Sequence, residues 1–179
     1  HQRKIMMTAI TVRPFILADE QLFKHSIRTL QDYERQFSPD DMLPGEQIVD
    51  RWFDHTMMEN EMWDGIVYVA EVGAGVEGHA KETAGFMSVR RKPTTLTEEI
   101  YVKSSEGAYV TDFQVLSAYR GLGVGRRLLE QADEYARERG LPYVILEVFA
   151  HNSATEFYRR HGFVDLMTTM VKPASEALP

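Results

Sequence analysis

The 179-residue chain contains no cysteine. That excludes a disulfide scaffold, a thiolate nucleophile and a thiolate metal site. It also fits a reducing compartment, so a cytoplasmic protein is expected. No apolar run reaches the ~18 residues that a membrane span needs. The first residues lack the apolar segment of a secretory signal. Basic residues are in deficit, 20 against 27 acidic, for a formal net charge of −7. A nucleic-acid binder needs a basic face, so no nucleic-acid partner is expected, and no membrane partner either. His25, His55, His79, His151 and His161 show no metal-ligand spacing, and no metal is expected.

What is present suits one globular domain: 44% hydrophobic, 26% charged and 11% aromatic residues. Residues 1–6, ahead of Met7, read as an appended remnant, 7–172 as the domain and 173–179 as a loose tail. Charge is uneven. Between Asp19 and Asp64 lie 12 acidic and 4 basic residues, whereas Ser117–Arg127 carries Arg120, Arg126 and Arg127 and no acid. The first stretch favours cations and the second anions.

Periodicity predicts strands over Thr8–Phe15, Gly65–Val72, Ala84–Arg91, Ala108–Leu116, Tyr143–Phe149 and Gly162–Val171. It predicts helices over Asp19–Phe37, Gly45–Met62, Arg126–Arg139 and Ser153–Arg160. Ser38–Asp41 and Gly73–Gly78 read as breaks, and Ile100–Val102 as a short strand within a loop. The order β-α-α-β-β-β-α-β-α-β implies a mixed α/β sheet with helices over it.

The sharpest local signal is Arg120-Gly121-Leu122-Gly123-Val124-Gly125-Arg126, set between a strand and a helix. The first turn of a helix carries amides without helical partners at its positive end, and glycine lets an anion approach them. A Walker loop is excluded because no Gly-Lys-Ser/Thr follows. The dinucleotide pattern Gly-x-Gly-x-x-Gly fails in both frames, with Arg126 or Leu128 at the sixth position. The pattern that fits is Arg-x-x-Gly-x-Gly, filled by Arg120, Gly123 and Gly125.

With Asp112–Gly125 in front of it, this segment resembles the acetyl-CoA motif of the GNAT superfamily of N-acetyltransferases. Asn152-Ser153-Ala154-Thr155-Glu156-Phe157-Tyr158-Arg159-Arg160-His161-Gly162-Phe163 resembles that family's second motif. The close match covers about Ala108 to Val164. The resemblance implies a mixed, mostly antiparallel sheet, flanked by helices, whose fourth and fifth strands splay into a V. It implies acetyl-CoA as co-substrate in that gap. The backbone of Phe113 and Val115 would hold the pantetheine arm. Amides from Arg120, Gly121, Leu122, Gly123, Val124, Gly125 and Arg126 would hold the pyrophosphate. Asn152 would touch the arm or cap the next helix, and Tyr158 would protonate the departing thiolate.

An amine attacks a thioester only when neutral, so a base must take its proton. Asp112 and Glu147, on the two splaying strands, are the candidates, with Glu147 read as buried or half-buried. Each also reads as a structural carboxylate, Tyr158 as a core aromatic and His151 as a solvated loop residue. Trp52, Trp63, Tyr33 and Phe37 could wall an acceptor pocket, and the acidic stretch favours a cationic amine acceptor. A silent acyl-CoA-binding module is the rival reading. A homodimer through Gly162–Val171, where such proteins often pair, is left open.

Overall fold

A computed structural model describes residues 9–38, 42–73, 81–100 and 102–172. Outside them lie the expected remnant and tail, Thr8, His79, most of the Ser38–Asp41 and Gly73–Gly78 breaks, and Tyr101.

Five strands form one sheet in the order β1-β2-β3-β4-β5: β1 Ala9–Pro14, β2 Ile66–Gly73, β3 Glu82–Lys92, β4 Gly107–Val115 and β5 Val144–Leu146. The first three pairings are antiparallel and only β4 with β5 is parallel. The helices are α1 Glu20–Glu34, α2 Gly45–Met62, α3 Val124–Glu138 and α4 Ala154–Arg160.

Each strand of the sheet must bury two faces, and alternation along β2 supplies both. Val67 and Val69 face one cluster with Phe23, Ile27, Phe53 and Phe86, beneath α1 and α2. Tyr68 and Ala70 face the other, with Met87, Val89, Leu128, Ala132 and Tyr135, beneath α3. The stripe Leu128, Leu129, Ala132, Tyr135 and Ala136 recurs at helical spacing and is buried along α3. The product is a sheet between two helical layers.

Three sequence expectations are corrected. The short strand expected over Ile100–Val102 does not start as one, because Ile100 closes a 3₁₀ turn, Glu98–Ile100, and Val102 has no regular structure. The strand expected over Gly162–Val171 does not form: these residues have no regular structure, and Val164, Leu166, Met167 and Met170 are exposed. β-Propensity there has no neighbouring strand to pair with, and a strand without a ladder leaves its backbone groups to water. The strand expected over Tyr143–Phe149 shrinks to Val144–Leu146. Its ladder runs from Ala108–Val144 to Val110–Leu146 and stops.

The cause of that stop lies in β4. Val89 pairs with Val110, but the next pair is Ser88 with Asp112, so Thr111 is an extra, bulged residue. A bulge reverses the alternation of the strand beyond it. Ala108 and Val110 face the α3 side, and after the bulge Phe113 and Val115 take over that side. Asp112 and Gln114 turn instead to the face that α1 and α2 cover, bonding Trp52 and Ser26.

Candidate functional site

Beyond Val110, β4 continues to Val115 with no partner on its β5 side, which opens the expected V. The bulge also decides which backbone groups face this gap. The Leu116 N–H donates to Ala84 O at 2.9 Å, and Gln114 O lies close to Gly85, so both residues point their backbone to β3. By alternation, Phe113 and Val115 present their N–H and C=O groups to the gap. One of these is already met: Arg120 Nε donates to Val115 O at 3.2 Å.

At the end of β4 a single 3₁₀ turn, Ser117–Tyr119, leads into the glycine segment. Gly121 and Gly123 have φ of 80° and 91°, the left-handed region that side chains resist. Gly123 stands at the N-terminus of α3 in that conformation, and the Arg127 N–H donates to its carbonyl at 3.1 Å. The amides just ahead of Arg127 therefore have no acceptor within the helix. A Cβ placed on Gly121 would meet nothing within 4 Å. Leu122 is half exposed, while Val124 is buried under the sheet. Arg126 and Arg127 lean back along α3 to Glu130, at 3.0 and 2.6 Å. Gly125 has a different duty: a Cβ there would stand 2.9 Å from Phe157 Cζ and 3.5 Å from Phe113 Cζ. Its bare backbone lets α4 close against α3 and β4.

α4 brings the second motif to the same place. Asn152 is buried, and its Oδ1 accepts the Ala154 N–H at 2.9 Å, so it caps the start of α4. His151 is exposed. Tyr158 is buried among Phe113, Phe157 and Phe163, with ring centroids 5.8, 5.5 and 5.8 Å away. Burial first, then the charge of Glu34, pushes its phenol above the ordinary tyrosine value. It holds its proton firmly at neutral pH.

The two carboxylates expected to serve as base sit differently. Asp112 is buried, and accepts from Trp52 Nε1 at 2.8 Å, Thr111 Oγ1 at 3.2 Å and Thr56 Oγ1 at 3.4 Å. Burial raises its pKa, and these three donors oppose the rise. Glu147 is exposed, not buried or half-buried, because β5 has ended one residue earlier. It acts on Tyr109, whose phenol burial and then Glu147 push up to about 12.

Glu34, the last residue of α1, falls at helical spacing in the sequence but belongs to no motif. It is half-buried, and burial followed by the charge of Asp112 raises its carboxyl. Of the aromatic residues expected to wall a pocket, Tyr33 and Phe37 meet at 5.2 Å, and Phe37 stacks on Phe149 at 6.3 Å, beside the gap. Trp52 stands over Asp112, while the backbone of Trp63 bonds Arg91 away from the site. Several acids of the N-terminal stretch are already engaged: Asp19 with Arg13, Glu59 with Arg90 and Asp64 with Arg139.

A family model described as the acetyltransferase (GNAT) family matches residues 27–163, and the chain belongs to that family. Over 93 residues the chain is 30% identical to an uncharacterized N-acetyltransferase, YycN, of Bacillus subtilis, covering 51% of this chain and 54% of the relative. It is 34% identical over 93 residues to streptothricin acetyltransferase of Streptomyces lavendulae, covering 51% and 42%. The chain thus spans about half the length of the curated relatives it matches. Its fold is that of a predicted acetyltransferase of Clostridium acetobutylicum crystallised with acetyl-CoA, at 19% identity and a TM-score of 0.60, covering 92% and 96% of the two chains.

Proposed function

We propose that this chain is an N-acetyltransferase that moves the acetyl group of acetyl-CoA to a primary amine. The observation that carries the reading is the meeting of two features at one point. β4 runs on alone past its last pair with β5, and the glycine turn opens α3 beside it. The residues fit the co-substrate. Amides without helical acceptors, a left-handed turn at Gly121 and Gly123, and open space where a Cβ of Gly121 would stand suit a pyrophosphate. The unpaired edge at Phe113 and Val115 suits an extended arm that accepts and donates like a strand.

Acetyl-CoA brings an activated thioester, and the chain's own groups do the rest. The Val115 amide, facing the gap, is the donor for the oxygen on which charge develops. Tyr158, kept protonated by burial, is the acid that protonates the departing sulfur. A carboxylate on the α1 and α2 side takes the amine's proton. No covalent bond to the protein is required, which agrees with the absence of cysteine.

A cationic amine is the favoured acceptor, supported by the acidic surplus between Asp19 and Asp64. The experiment is a thermal-shift comparison of acetyl-CoA with NAD, followed by thiol release across a panel of polyamines, streptothricin-like amines, lysine peptides and neutral amines. Protection by acetyl-CoA and turnover of the cationic members is the expected result. Turnover restricted to neutral amines overturns the acceptor preference. Protection with no turnover of any amine makes the chain an acyl-CoA-binding module instead.

A further inference from the structure

On the transferase reading above, we infer that Glu34 is the base that takes the amine's proton. The placement follows from one face of α1. Ser26 bonds the side chain of Gln114 on β4, and Leu30 lines a narrow gap with Asp112 and Phe113. Glu34 follows four residues later on the same face, and Phe37, just past the helix, stacks on Phe149 behind β5 at 6.3 Å. This stripe therefore crosses from β4 to the far side of the V. Glu34 lies between its two anchors.

The hydrogen bonding separates Glu34 from the other carboxylates. A base needs a free lone pair. The oxygens of Asp112 already accept from Trp52, Thr111 and Thr56. Glu147 is exposed. Among the described residues, none donates a hydrogen bond to the Glu34 carboxylate, although it is half-buried. The charged or titratable groups that bear on it are Asp112 from β4 and Tyr158 from α4. Neither is a cation that would hold Glu34 ionised and weaken it as a base.

The step balances. As the amine nitrogen bonds the acetyl carbon, Glu34 receives the nitrogen's proton, the carbon–sulfur bond breaks, and the Tyr158 hydroxyl protonates the sulfur. Glu34 is then neutral and Tyr158 is left ionised and buried. Loss of a proton from Glu34 to solvent and uptake of one by Tyr158 as the products leave restore both.

The test is the pH dependence of kcat/KM with any amine the panel shows to be turned over. Wild type is expected to lose activity on its acid limb as Glu34 protonates, above the ordinary glutamate range. Glu34→Gln is expected to lower kcat about 100-fold or more and to erase that limb, as removal of a general base does. Its thermal protection by acetyl-CoA is expected to stay. Asp112→Asn is expected to keep the limb. If Glu34→Gln does not fold, Glu34→Asp decides, because a carboxylate drawn back by one methylene slows turnover while keeping a limb. Turnover within threefold of wild type with the limb intact in the folded Glu variant, or loss of the limb in Asp112→Asn alone, overturns the inference. A wild type that releases no thiol with any amine removes the transferase reading and this inference with it. Turnover within threefold of wild type in Glu34→Gln removes this inference alone.

Discussion

Tyr158 and Asp112 are both buried acids, and burial raises both, yet they differ in what surrounds the proton. Tyr158 stands among rings, so its O–H is the form its site prefers. Replacing it by Phe keeps the ring packing and removes the proton. The expected outcome is a roughly 100-fold loss of kcat, read by thiol release, with acetyl-CoA protection retained. Asp112 sits under α2 with three donors, which argues for a part in holding α2 to β4 rather than for proton transfer. Its raised pKa carries a sign for stability. The folded state binds the proton more tightly than the unfolded chain, so the favourable contribution is present below the ordinary aspartate pKa and is lost as pH rises through the folded value. Asp112→Asn is therefore expected to lose less stability than wild type between about pH 4 and pH 7, as calorimetry at the two pH values would record, and an equal loss in both would contradict it.

At the scale of elements, the glycine turn and the β4 bulge divide the work of shaping the site. Gly123 opens α3 at φ 91° with open surroundings, the nearest atom being Ile10 Cδ1 at 3.8 Å from a hypothetical Cβ. Gly123→Ala is expected to lose about 1–2 kcal/mol of stability from backbone strain alone, measured by urea unfolding. Its acetyl-CoA affinity is expected to fall with it. Gly125→Ala fails by collision with Phe157 instead, at a cost of about 1–3 kcal/mol. Because that push reaches α4, its kcat is expected to fall more than its acetyl-CoA affinity, a split that single-turnover kinetics would resolve. The glycines were legible in the sequence because an anion cradle needs several of them at fixed spacing before a helix. The separate packing duty of Gly125 was not, since Phe157 lies far along the chain. The bulge at Thr111 left no mark either. Ala108–Leu116 reads as an ordinary strand, and only its register against β3 reveals the extra residue.

For the whole molecule, the sheet holds the two motifs on one side of an open edge, so a ligand in the gap would bridge β4, α3 and α4. Acetyl-CoA at 100 times its Kd is expected to add about 2.7 kcal/mol to unfolding, read as a raised melting temperature. Acid should act at a separate place. Asp19 is held below the ordinary carboxylate range, first by its hydrogen bonds from Arg13 at 2.7 and 2.9 Å, and it also accepts the Ile16 N–H. Its contribution is present above the ordinary aspartate pKa and is lost as pH falls below it. Asp19→Asn is therefore expected to destabilise at pH 7 and to matter little in strong acid. Among the described residues no helix is long and apolar enough to cross a membrane.

Local chemistry written along the chain was enough to set the helices and four of the five strands, the anion turn, the position of Tyr158 and the family to which the chain belongs. These depend on residues close together in sequence: a helical stripe, a run of β-branched residues, glycines beside arginines. Tertiary structure decided what depends on distant partners. The unpaired end of β4 follows from a register that β3 imposes. The exposure of Glu147 follows from where the β5 ladder ends, and the absence of a strand over Gly162–Val171 from the lack of a neighbour. The same holds for Glu34, one residue of an amphipathic helix until α1 is laid across β4 and its charge bears on that of Asp112 and on the Tyr158 phenol, which no local pattern could encode.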